Sequence, residues 1–154
     1  MPDGLSIGDG AFFDCPLDDE AKAAVQAINV WAVRPPIDAQ GHAIVPEGIT
    51  TIPSSAFYDS SLVSVTLPAG LVSICSSAFS CCDSLVSVTL PASLTSIGDE
   101  AFSDCSSLVS VTFPAGLTSI GSCAFYDCSS LVSVTFPAGL VSIGDYAFDG
   151  CSSL

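Results

Sequence analysis

The side chains best equipped for chemistry in this chain are eight cysteines, one histidine, sixteen carboxylates and a dense set of hydroxyls. Spacing decides what each group can do. Cys82, Cys105, Cys128 and Cys151 recur at one constant step, and Cys15 sits in an equivalent context. Structural zinc favours CxxC pairs or histidine partners, but the one adjacent pair is Cys81-Cys82 and the sole histidine is His42. No metal site is therefore expected. A regular cysteine column suits burial better, because a free cysteine packs as a small hydrophobe. If neighbouring rungs lie roughly 4.8 Å apart, their side chains run parallel instead of toward each other, which disfavours a disulfide between rungs. Cys75, Cys81 and Cys123 fall outside the column and are expected to be more exposed and more easily oxidised.

Asp14, Asp59, Asp104 and Asp127 directly precede the cysteine column or its gap. Calcium requires 6 to 8 oxygens in a defined cage, and the GGxGxD repeat is absent, so these read as a solvated acidic edge. His42 has no nucleophile or carboxylate arranged around it by motif, and is expected to be structural or solvated. No GxSxG, Walker, HExxH or dinucleotide fingerprint occurs. The chain is expected to be no enzyme, with no cofactor. The remaining candidates are hydroxyls in two files: Ser64 and Thr66, Ser87 and Thr89, Ser110 and Thr112, and Ser133 and Thr135. They solvate one face of a sheet or form a binding surface on it.

A repeat must position all of these groups. Pro46, Pro68, Pro91, Pro114 and Pro137 follow one another at the same step as the cysteines, apart from a single deletion in the first unit, and the text between them is nearly copied. The unit from Pro91 reads PASLTSIGDEAFSDCSSLVSVTF and the next reads PAGLTSIGSCAFYDCSSLVSVTF. Each unit carries anchors such as Leu108, Val111, Phe113, Leu117, Ile120, Ala124, Phe125 and Cys128. A unit this short cannot bury them alone, but stacked copies bury them in one continuous core. The segment SVTF alternates with period two, so Val111 and Phe113 face inward and Ser110 and Thr112 outward. Strands are expected to centre on Val65, Val88, Val111 and Val134, one per coil, in a parallel sheet.

The pattern LxxVxFPxxLxxIGxxAFxxCxx, from Leu108 to Ser130, resembles the 23-residue BspA-like class of leucine-rich repeat. The likeness covers residues 43–154, about five units with the last one truncated. It implies a β-rich, right-handed leucine-rich-repeat solenoid. It also implies a non-enzymatic role in protein–protein contact or in adhesion to a cell surface or matrix. A uniform hydroxyl face suits a protein or an extended surface polymer. An alternative is binding to ice or a crystal surface through the Ser/Thr ladder, which would need a flat and mostly Thr face.

Residues 1–15 read as a partial repeat, GLSIGDGAFFDC opening at Gly4. Residues 16–42 depart from the pattern. Ala21, Ala24, Val25 and Ile28 make an apolar stripe behind Asp18, Asp19 and Glu20, the signature of a short helix. That helix either caps the array or interrupts two runs of repeats, and the first reading is preferred. Asp38-Ala39-Gln40-Gly41 is turn-like. Leu154 falls where a strand should begin, so Leu140 and Phe148 are expected to lack a covering coil, and the chain to self-associate or fray there.

The net charge of −14, with only Lys22 and Arg34 as fixed cations, excludes the basic footprint of a nucleic-acid binder. No apolar run approaches the roughly 20 residues of a membrane span. The start, Met1-Pro2-Asp3-Gly4, reads as no secretory signal, and compartment stays open.

Overall fold

The computed structural model describes residues 34–154, so the proposed helix behind Asp18 and the partial repeat at Gly4 lie outside the described residues. Among the described residues nine short strands follow one another: β1 (His42–Ile44), β2 (Thr51–Ile52), β3 (Ser64–Thr66), β4 (Ser73–Ile74), β5 (Ser87–Thr89), β6 (Ser96–Ile97), β7 (Ser110–Thr112), β8 (Ser119–Ile120) and β9 (Ser142–Ile143). They form two parallel sheets, β1-β3-β5-β7 and β2-β4-β6-β8-β9. The chain thus winds as a parallel solenoid with two strands per coil, where the sequence suggested one.

Register keeps each repeat column aligned. Val65 pairs with Val88 and Val88 with Val111, while Ser73, Ser96, Ser119 and Ser142 align along the second sheet. Alternation sends the valines of the first sheet inward and its threonines outward. The strand expected around Val134 is reduced to one bridge, Ser110 to Ser133, and Val134 is half-buried.

Between the sheets the apolar anchors stack in columns. Phe57, Phe79, Phe102, Phe125 and Phe148 form a ladder of near-parallel rings with centroids 5.1 to 5.2 Å apart. Phe113 and Phe136 stack beside it at 5.8 Å and meet Phe125 and Phe148 edge-on. Offset stacking and edge-to-face contact are the favoured arrangements of ring quadrupoles. Gly98 is required by close approach: a Cβ there would lie 2.7 Å from the backbone of Cys75 and Ser76 in the preceding coil.

The third side of each coil is a run of tight turns, and its backbone hydrogen bonds follow a simple alternation. Ala78, Ser80 and Cys82 donate their amides within their own coil, to the carbonyls of Cys75, Ser77 and Phe79. The intervening amides of Ser77, Phe79 and Cys81 donate to the carbonyls of Asp99, Ala101 and Ser103 in the next coil, each at 2.8 Å. The same three bonds join Ser55, Phe57 and Asp59 to Ser76, Ala78 and Ser80. They recur from Glu100, Phe102 and Asp104 to Ser122, Ala124 and Tyr126, and from Cys123, Phe125 and Asp127 to Asp145, Ala147 and Asp149. Every one of these bonds points the same way along the solenoid.

The turns need left-handed backbone at two places per coil. Ser55, Ser77, Glu100, Cys123 and Tyr146 occupy one column with φ between 54° and 58°. Asp59, Cys81, Asp104, Asp127 and Gly150 occupy the other, with φ from 49° to 76°. Asp tolerates this region better than most residues. The aspartate column is therefore explained by backbone geometry.

Candidate functional site

The hydroxyl files lie on the outer face of the first sheet, where the alternation placed them. Thr66, Ser87, Thr89, Ser110, Thr112, Ser133 and Thr135 are exposed and Ser64 is half-buried. Immediately before the serines stands a file that sequence reasoning passed over, the exposed valines Val63, Val86, Val109 and Val132. An exposed valine thus directly precedes the serine of each of these four coils.

His42 belongs to this surface. Register pairs it with Ser64, so it heads the serine file instead of standing apart from the repeats. Its Nδ1 lies 2.7 Å from Ser64 Oγ and its Nε2 lies 3.0 Å from Thr66 Oγ1. A neutral imidazole has one donor and one acceptor nitrogen, so it bridges the two files. The signal was present in the sequence, because His42 precedes Ser64 by the same step that separates Pro46 from Pro68. Asp38 does not reach the ring. Its Oδ1 accepts the backbone amides of Gln40 and His42, each at 2.9 Å, and the bond from His42 holds its carboxyl below the ordinary value.

The cysteine column is a buried ladder. The thiols of Cys82, Cys105, Cys128 and Cys151 each donate to the carbonyl of Phe57, Phe79, Phe102 or Phe125 in the preceding coil, at 3.1 Å. Burial pushes the Cys128 thiol up to about 12 and raises Cys105 further. Cys81 and Cys123 are half-exposed free thiols, as their off-column positions imply. Cys75 departs from that expectation: it is buried and disulfide-bonded.

A second polar feature runs along the other sheet. Ser96, Ser119 and Ser142 line a groove of about 240 Å³ with Gly98, Gly121 and Asp99. Asp99 Oδ1 is already engaged by the amide of Ser122 at 2.7 Å. Among the described residues no cluster of three or more His, Cys, Asp or Glu side chains gathers to hold a metal ion. No helix among them is long and apolar enough to cross a membrane.

The model of the BspA type leucine rich repeat region matches residues 41–154 in six copies. Among solved structures, a leucine rich repeat protein of T. pallidum is 35% identical, with a TM-score of 0.73 over 74% of this chain and 56% of that one. A leucine rich cell surface protein of Faecalibacterium prausnitzii is 31% identical, with a TM-score of 0.71 over 74% of this chain and 30% of that one. A leucine-rich repeat protein of Bacteroides ovatus is 32% identical, with a TM-score of 0.60 over 73% of this chain and 35% of that one. The chain therefore spans from about a third to just over half of these structures. No curated protein matches the sequence significantly.

Proposed function

The chain belongs to the BspA-type leucine-rich repeat family, and from that membership we propose that it is a non-enzymatic interaction module whose binding surface is the outer face of the first sheet. The contact residues in this reading are Ser64, Thr66, Ser87, Thr89, Ser110, Thr112, Ser133 and Thr135. The observation that supports it is the exposed valine file beside them. Solvation alone accounts for hydroxyls on a sheet, but not for Val63, Val86, Val109 and Val132 kept in water at every coil. Methyl groups beside hydroxyls give a partner apolar area and hydrogen bonds at a fixed pitch of about 4.8 Å.

The partner is a protein or an extended surface polymer with its own repetitive face, since near-identical coils offer no single tailored pocket. The cell-surface description of the Faecalibacterium prausnitzii neighbour favours such a setting. A panel of immobilised matrix proteins and polysaccharides, probed with the chain and with a Val86→Asp, Val109→Asp double variant, tests this. Binding that falls at least about tenfold in the variant supports the sheet face. Binding that survives unchanged sinks it.

A further inference from the structure

In β1 the serine and threonine places of the outer face are taken by His42 and Ile44, which stand in register with Ser64 and Thr66. The His42 imidazole lies across that pair, its Nδ1 2.7 Å from Ser64 Oγ and its Nε2 3.0 Å from Thr66 Oγ1. One ring nitrogen donates to a hydroxyl oxygen and the other accepts a hydroxyl hydrogen. Residues i and i+2 of a strand share a face, so one flat group is enough to span both hydroxyls.

The same pair recurs in the following coils. Ser87 stands in register with Ser64 and with Ser110, and Thr89 with Thr112. These four later side chains are exposed, and none of their hydroxyls is bonded to a partner among the described residues. The difference lies in the preceding coil. Beside Ser64 and Thr66 it supplies a histidine long enough to reach both, whereas beside the later pairs it supplies Ser64 or Ser87, whose side chains end one atom beyond Cβ.

We propose that the open Ser/Thr pairs are subsites for a flat, uncharged side chain of a partner polypeptide, a carboxamide or an imidazole, and that His42 is the chain's own occupant of the first pair. This rests on the sheet-face reading above and adds the chemistry of the partner. Charge selects the occupant. A carboxylate brings acceptors only and meets a chain of net charge −14, while an ammonium brings donors only. Asn, Gln and neutral His each carry a donor and an acceptor on one planar group, the complement of two hydroxyls that can each give or take a hydrogen. No charged side chain stands in these columns to attract an ion, and the exposed Val86 and Val109 beside them offer apolar area to the stem of such a side chain. The occupant seated on Ser64 and Thr66 is an amino-acid side chain, which favours a polypeptide over a polysaccharide. His42 thereby shields the first pair, and contact with the partner begins at Ser87.

The probe is imidazole itself, titrated into the ¹⁵N-labelled chain up to about 100 mM at about pH 8, where most of it is neutral. The amides of β5 and β7 should shift and those of β3 should not. His42→Ala should open the first pair, so that Ser64 and Thr66 join the responding amides. Ser110→Ala combined with Thr112→Val should silence β7 and leave the response of β5. 1-Methylimidazole, which lacks the N–H donor, should need about three- to tenfold more for the same shift. Four results overturn the proposal: no response localised to β5 and β7; a β3 response as strong before His42→Ala as after it; equal potency of 1-methylimidazole; or a localised response to glucose in place of imidazole, which would assign the pairs to a sugar. The sheet-face reading fails separately. A chain that ignores imidazole but loses panel binding in the Val86→Asp, Val109→Asp variant keeps the sheet face and loses the subsites, and a chain that responds to imidazole but binds the panel unchanged in that variant does the reverse.

Discussion

The first and last coils are written on the same repeat pattern and live in different surroundings. Ile52 in the first is 0% exposed, whereas its counterpart Ile143 is 44% exposed. Phe113 is 6% exposed one coil before the end, and Phe136 in the next is 43% exposed. The two-residue strand of the second sheet persists at both ends, as Thr51–Ile52 and Ser142–Ile143, but the SVT strand shrinks to a bridge at Ser133. Anchors in a repeat have no burial of their own, because each is covered by its neighbour.

The largest expected effect tests that dependence directly. Phe57→Ala and Phe102→Ala should each destabilise by about 3 to 5 kcal/mol, the usual cost for a fully buried ring. Phe148→Ala, at a half-buried ring, should cost less than half as much. Denaturant titration of the three variants would break the comparison if Phe148 proved as costly as Phe57.

The thiol ladder gives the next effect. Cys105→Ser replaces a buried thiol by a hydroxyl that keeps a carbonyl acceptor at Phe79 but is more costly to desolvate, for a loss of about 1 to 2 kcal/mol. Cys123→Ser should be close to neutral. The pH dependence follows from the raised thiols. Cys128 is neutral in the folded chain up to about 12, whereas an unfolded thiol ionises near 9.0. The stability this confers is complete below the unfolded value and is lost as pH rises from there toward about 12. Urea midpoints that stay flat from pH 8 to about 11 would contradict it.

Removal of the Arg34 side chain, which donates to the carbonyls of Ala56 and Tyr58, is a smaller change. Arg34 is exposed, so Arg34→Ala should cost only about 1 kcal/mol. Its signature is local: faster hydrogen exchange in the first coil and none of that effect in the last. The smallest effect compares the left-handed column at the two ends. Tyr146→Gly relieves a bulky residue at φ of 57° and should stabilise by about 0.5 to 1 kcal/mol. Ser55→Gly should give less, because a small side chain is less crowded there. Thermal melts that rank Ser55→Gly above Tyr146→Gly would reverse this account.

Much of the solenoid was legible because each unit repeats the same evidence. The alternation in SVTF marked the buried valines and outward hydroxyls, and the constant spacing of the cysteines identified a column that proved buried. Other parts were hidden for stated reasons. Strands of two residues, such as Ser96–Ile97, are too short to show a period. His42 shares no side-chain type with the serines it aligns with. Cys75 was expected to be exposed because it lies outside the cysteine column, whereas the structure buries it.

The sequence alone determined the period and the inward and outward faces of the SVT columns, since alternation and spacing are properties of the chain itself. Tertiary structure decided what happens between coils. Identical letters cannot say which neighbour a backbone group will meet, so the one-way run of amide-to-carbonyl bonds appears only when coils are stacked. The same stacking sets Arg34 on Ala56 and Tyr58 at one end and leaves Tyr146, Phe148 and Gly150 with free amides among the described residues at the other. A linear repeat is symmetric in its text, and the direction of its hydrogen bonds makes its two ends chemically unlike.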